Sequence, residues 1–325
     1  MSFTGPLFVV GMPRSGTKLL RELLNRHPLV GIPDVETEFL PWLVSNFNSF
    51  GDLRDPARFD VFFSKITRAT YFELRRAEGA LFDVRRWQGN CREFTPAGVF
   101  EALLRIEADA PYGSDRIWGD KSPSYIDDLA LIKRLYPGAK FVHIIRDARD
   151  YCLSINKAWG KNILRAAQRW AEGVEGARQA GKALGGDYIE VRYEDLLSNT
   201  EDQLRRVCLL LGIEFDARML SLSKPTENLG DTRGLTHVVS DNHGKFATAF
   251  SDAVLAEVEA LTGRALLAFG YTLVHPLRKP VRLSKFHMAR AQLADGWQLV
   301  RRVQRGSSMW RTALFHVRYF LATRG

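Results

Sequence analysis

Arg14, Ser15, Gly16, Thr17 and Lys18 stand together in the run GMPRSGTKLL, residues 11–20, between two glycines five apart. Backbone N–H groups of a turn that enters a helix hold an anion through aligned dipoles and unpaired donors. Gly11 and Gly16 allow the tight path, and Ser15, Thr17 and Lys18 add side-chain donors. The spacing is that of the nucleotide P-loop, G-x-x-x-x-G-K-[ST], but the end is reversed: Thr17 precedes Lys18, and Arg14 puts a cation inside the loop. A second group lies in RDARDYCLS, where Ser154 follows Arg146 by eight residues, about two helical turns. In VRYEDLL, residues 191–197, Tyr193 offers an aromatic surface.

The elements around these residues are those that phosphate binding requires. LFVVG, residues 7–11, is a short apolar run bounded by Pro6 and a glycine turn, and so predicts a buried strand. Leu19, Leu20, Leu23 and Leu24 then form a helical stripe that stops at His27-Pro28. KFVHIIR, residues 140–146, predicts a second strand with a helix from Asp147, and DYIEVRYE, residues 187–194, a third. After the third, Asn199 or Thr200 can cap a helix that Gly212 ends. Residues 124–136 and 252–269 are further helices. Strands alternating with helices predict an α/β fold with a central parallel sheet covered on both faces. Residues 44–116 lack the alternation and are expected to form a mostly helical insertion or lid.

The chain has 325 residues, 46% hydrophobic and 26% charged, the composition of an ordinary globular protein. Cys91, Cys152 and Cys208 are scattered and odd in number, which predicts neither a disulfide framework nor a metal site and suits a reducing, cytoplasmic setting. The first apolar run is too short for a signal peptide or a membrane span. The net charge of +9 is unevenly distributed. Residues 277–325 carry eleven of the 46 Lys and Arg but one of the 37 acids, Asp295. That tail reads as two amphipathic helices, one with a stripe of Phe286, Leu293, Trp297 and Val300, the other with Trp310, Leu314, Val317 and Leu321. It is expected either to pack on the body or to meet an anionic membrane surface at the inner membrane face. The domain reading is therefore a body of residues 1–276, with 44–116 inserted, and a tail of 277–325.

PRSGTKLL, RDARDYCLS and VRYEDLL together resemble the sulfotransferases that use 3′-phosphoadenosine 5′-phosphosulfate (PAPS), over roughly residues 6–272. The resemblance is closer to the carbohydrate and protein-tyrosine type than to the cytosolic small-molecule type. It implies a P-loop-like three-layer fold whose loop binds the 5′-phosphosulfate, with Arg14 as its cation. Lys18 departs from the family's usual second threonine. The resemblance further implies that Arg146 and Ser154 hold the 3′-phosphate, that Tyr193 approaches the adenine and that Lys245 of HGKF touches the phosphates. An acceptor hydroxyl must lose its proton as it attacks sulfur. By alignment the base is Glu36 of VETEF, with Glu38 two residues away as the alternative; His143, inside a strand, is a poorer candidate. Lys121 of WGDKSPSY would point at the sulfuryl group, with Ser124 capping the next helix. Fixed cations can suffice for sulfuryl transfer, so no metal is expected; the product would be 3′-phosphoadenosine 5′-phosphate.

Two other classes compete. In a P-loop kinase, Asp147 after its apolar strand would hold Mg²⁺. A non-catalytic anion- or nucleic-acid-binding protein would use the basic tail, but the body has no nucleic-acid motif and no nucleic-acid partner is expected. Sugar, lipid, peptide tyrosine and small alcohol all remain open as acceptors.

Overall fold

Residues 3–226, 234–279 and 281–303 are described by the computed structural model of the chain, the side chains of 297–303 excepted. Five parallel strands form one sheet: β1 (Leu7–Gly11), β2 (Val30–Gly31), β3 (Ile117–Lys121), β4 (Lys140–Ile145) and β5 (Tyr188–Arg192), in the order β2-β3-β1-β4-β5. β1 is central, pairing Leu7 with Gly119 on one side and Leu7 with Lys140 on the other. All five of its residues are buried because each face is covered. Phe8 and Val10 enter one core and Leu7 and Val9 the other, as the two-residue period of a strand demands.

Helix α1 (Thr17–Asn25) follows the loop directly and buries Leu19, Leu20, Leu23 and Leu24 against the second core. Between β2 and β3 the chain forms α2 (Leu40–Asn46), α3 (Pro56–Ile66), α4 (Thr70–Ala77), α5 (Val84–Asn90) and α6 (Pro96–Glu107). Aromatic rings hold this helical stretch together: Trp87 packs on Phe62 at 5.4 Å, and Phe39 on Phe100 at the same spacing. After β3, Ser122 leads into a 3₁₀ turn, Pro123–Asp127, and Asp128 into α7 (Leu129–Leu135). The helix expected to be capped by Ser124 is thus split. Pro123 removes a backbone donor and the first turn winds more tightly, so Ser124 lies inside that turn.

α8 (Ala148–Trp159) is capped by Asp147, whose carboxylate accepts from Arg149 N, and ends at Gly160 in the left-handed region. α9 (Ile163–Leu184) crosses the sheet, and α10 (Tyr193–Ser198) begins where β5 ends, at Tyr193 itself. α11 (Thr200–Leu211) stops at Gly212, φ 71°. A short α12 (Phe246–Ala249) and α13 (Asp252–Ala268) complete the body, and α14 (Lys285–Val303) runs along the tail. The second expected tail stripe, Trp310 to Leu321, lies outside the described residues. No described helix is long and apolar enough to cross a membrane.

Candidate active site

The loop between β1 and α1 wraps one wall of a pocket of about 300 Å³. Arg14 and Gly16 line it from the loop, Arg146 and Ser154 from the end of β4 and from α8, and Tyr193 from the start of α10. Six of the nine residues expected to bind the nucleotide, Lys245 included, therefore converge although up to 231 residues separate them. Ser15, Thr17 and Lys18 do not line the cavity. Ser15 and Thr17 are buried under the loop, and Lys18 is half-buried beside Lys121.

Close packing dictates this wall. Gly16 has φ 93°, and a Cβ there would run into the ring of Tyr193. The loop can turn under the helix only because glycine occupies that place. Arg14 itself is left-handed, φ 68°, a conformation costly for a residue with a side chain. Its Nε donates to Ser154 Oγ at 3.3 Å. The Arg146 guanidinium lies over the Tyr193 ring, 4.6 Å from its centroid, and donates to the carbonyls of Arg14 and Asn242, each at 3.3 Å.

Among the described residues, four cations line the pocket: Arg14, Arg146, Lys157 and Lys245. The one lining carboxylate among the described residues, Asp150, accepts from Gly244 N at 2.5 Å and Phe246 N at 3.0 Å. Asp150 thereby pins the turn that carries Asn242 and Lys245. Asn242 donates to the Tyr193 hydroxyl at 2.8 Å and accepts from Lys245 at 2.7 Å. Among the described residues, Ser15 Oγ beneath the loop and Arg146 Nε at the pocket are buried without a partner. Buried polar groups are nearly always satisfied. A pocket lined by cations, with the Arg146 Nε donor unmet beside it, fits an anionic ligand.

Asp147, the residue a kinase would use for Mg²⁺, is committed elsewhere. Both its oxygens accept from Arg149, at 2.9 and 2.6 Å, and Arg149 also bonds Glu259 at 2.7 Å. Arg146 is consequently left to the pocket and does not pair with its neighbouring Asp. Among the described residues, no group of three or more His, Cys, Asp or Glu could hold a metal ion.

The carboxylates form a second cluster at the edge of β3. Lys121, its last residue, is fully buried and ion-paired with Glu36, whose side chain keeps 31% exposure. Burial pulls the Lys121 ammonium below its usual range, against the pull of that carboxylate. Glu36 is held by its neighbour Thr37. The Thr37 hydroxyl donates to Asp120 at 3.0 Å and meets the Tyr125 hydroxyl at 2.7 Å. Glu38 is left-handed, φ 54°, and its amide donates to Ser122 Oγ. Burial, then the charges of Glu36 and Asp120, raise the Glu38 carboxyl to about 7; burial raises Asp120 to about 6. His143 is fully buried, bonded to the Tyr188 hydroxyl at 2.6 Å and lowered to about 4 by burial, so it is a core residue.

Asn242, Asp150 and Lys157 of the pocket, and Thr37, Asp120 and Tyr125 behind the carboxylates, carry no signal in the sequence that marks them for the site. Asp150 lies within RDARDYCLS and Asp120 beside Lys121, yet no spacing rule distinguishes them from surface acids.

A family model described as the sulfotransferase family matches residues 6–217. Among curated proteins, nodulation protein NoeE of Sinorhizobium fredii is 26% identical over 285 residues, covering 78% of this chain and 62% of that protein. The protein-tyrosine sulfotransferase of Drosophila melanogaster is 24% identical over 222 residues, 66% of this chain and 39% of that one. The chain thus spans less than two thirds of either relative's length. Among solved structures, the sulfotransferase domain of the Synechococcus PCC 7002 olefin synthase superposes with a TM-score of 0.55 at 22% identity, over 84% of this chain and 97% of that one. The sulfotransferase domain of the curacin biosynthetic pathway gives 0.53 at 18%, over 84% and 100%.

Proposed function

The chain belongs to the sulfotransferase family, and on that premise we propose that it moves the sulfuryl group of PAPS to an acceptor hydroxyl, with Glu36 as the base. The observation that carries this reading is the cationic pocket shared by Arg14, Gly16, Arg146, Ser154, Tyr193 and Lys245. Its separate cations suit a nucleotide with phosphate groups at both the 3′ and 5′ positions. Arg146 and Ser154 would bind the first, the loop from Arg14 to Lys18 the second, and the Tyr193 ring would lie near the base.

The acceptor oxygen attacks sulfur as the bond from sulfur to the 5′-phosphate oxygen breaks. Glu36 takes the hydroxyl proton, and 3′-phosphoadenosine 5′-phosphate leaves with the bridging oxygen. Arg14 and Lys121 stabilise charge that develops on the bridging and sulfuryl oxygens. The Lys121 pairing aims Glu36, while the exposed part of its carboxylate remains open to an acceptor. Two relatives' names point to different roles, so the acceptor is assigned only as a hydroxyl compound.

Incubation with ³⁵S-labelled PAPS and a cell extract, followed by identification of the labelled product, tests the reading. Label transfer independent of added magnesium is the expected result. Magnesium-dependent ATP turnover without sulfuryl transfer would establish a kinase instead.

A further inference from the structure

The tail helix α14 docks on the body by one face and leaves Phe286 and Leu293 of its apolar stripe uncovered. Leu283 N, just before the helix, donates to Gln168 Oε1 of α9 at 2.6 Å. Asp295, near its middle, accepts from Asn162 N and from Arg165 Nη1, each at 2.8 Å. Met288 and Ala291 are half-buried on this side. Phe286 and Leu293, seven residues apart and so on one face, point away with 73% and 71% exposure. The approach to the helix adds Leu277 and Val281, about half exposed. Exposed apolar residues scattered singly need no explanation, whereas a stripe of them does.

Charge identifies what covers it. Arg278, Lys279, Arg282, Lys285 and Arg290 lie within this segment. The one acid of the tail, Asp295, is consumed by Arg165 in the docking contact and cannot neutralise them. Large apolar side chains on the outer face of a helix rich in bases match a bilayer interface with anionic headgroups. A nucleic acid would satisfy the bases but give Phe286 and Leu293 no apolar partner.

We propose that α14 is a prefolded docking face for an anionic phospholipid surface. Its attachment to α9 at Asn162, four residues beyond the pocket residue Ala158, ties that surface to the nucleotide-binding body.

The test is co-sedimentation of the full chain with vesicles of phosphatidylglycerol and phosphatidylcholine, against phosphatidylcholine alone, at low and high salt. Binding to the anionic vesicles only, released by salt, is expected. The double variant Phe286→Asp/Leu293→Asp should bind at least about tenfold more weakly, since each ring or branched chain loses its burial in the interface. Arg282→Glu/Arg290→Glu, which leaves the stripe intact, should also bind at least about tenfold more weakly. Both variants should keep the parent's melting temperature and its affinity for 3′-phosphoadenosine 5′-phosphate. Failure of the intact chain to sediment at low salt overturns the proposal, as does undiminished binding by either variant. Concentration-dependent self-association without vesicle binding overturns it in favour of a second copy of the chain on the stripe.

Discussion

At the scale of single residues, the site divides into groups that bind charge and groups that move a proton. Arg149 occupies Asp147, and Arg146 lines the pocket with an Nε that has no partner among the described residues. Charge-assisted hydrogen bonds contribute about 1.5–3 kcal/mol each. Arg146→Ala should therefore weaken binding of 3′-phosphoadenosine 5′-phosphate about tenfold or more by calorimetry. The loss should vanish for adenosine 5′-phosphate; an equal loss for both nucleotides contradicts a role at the 3′-phosphate. For the proton, Glu36 is the half-buried carboxylate paired with Lys121, whereas Glu38, also half-buried, has its carboxyl raised to about 7. Glu36→Gln keeps the shape without the basicity and should lower kcat about 10²–10⁴-fold with nucleotide affinity nearly unchanged. An active Glu36→Gln beside an inactive Glu38→Gln would move the base by two residues.

At the scale of elements, the loop and α10 are fitted against each other through one missing side chain. Gly16 carries φ 93° and has no room for a Cβ against Tyr193. Gly16→Ala has to move either the loop or the start of α10, and both wall the pocket. It should lower stability by about 1–3 kcal/mol, the usual cost of a strained backbone position. It should also cut affinity for 3′-phosphoadenosine 5′-phosphate more than tenfold. Thermal melting with and without nucleotide reads both effects together, and a variant that melts lower yet gains the full ligand shift would show that the fit serves folding alone.

For the molecule as a whole, two carboxyls with raised pKa set a pH dependence. Glu38 at about 7 and Asp120 at about 6 hold protons in the folded chain that an unfolded chain, with carboxyls near 4, has released. The folded state then binds more protons than the unfolded one between those values, so stability falls as pH rises. Their contribution is fully present below about pH 4 and is lost through pH 6 to 7. The urea midpoint of the ligand-free protein should accordingly drop between pH 5 and 8, and Glu38→Gln should flatten the upper half of that drop. A midpoint that climbs across the window, or an unaltered slope in Glu38→Gln, contradicts the assignment.

The local chemistry of this protein was legible in its sequence. LFVVG, the glycine-bounded PRSGT and the leucines of α1 follow from strand burial, turn conformation and helical period, all properties of neighbouring residues. The expected strands at 7–11, 140–146 and 187–194 correspond to β1, β4 and β5 within two residues at either end. What the fold alone decided depends on residues far apart in the chain. Parallel strands require crossovers, so Arg14, Arg146, Tyr193 and Lys245 meet only once the sheet order is set. Asp150 and Asn242 were not legible because their value lies in partners 94 and 96 residues away for the first and 49 for the second, to which no local pattern points. Ser124 missed its cap because Pro123 turned the chain into a 3₁₀ start. The stripe of α14 was visible as a spacing, but a spacing cannot say which way a helix faces. That was decided by one carboxylate, Asp295, whose bonds to Asn162 and Arg165 hold the helix by its polar side and leave Phe286 and Leu293 outward.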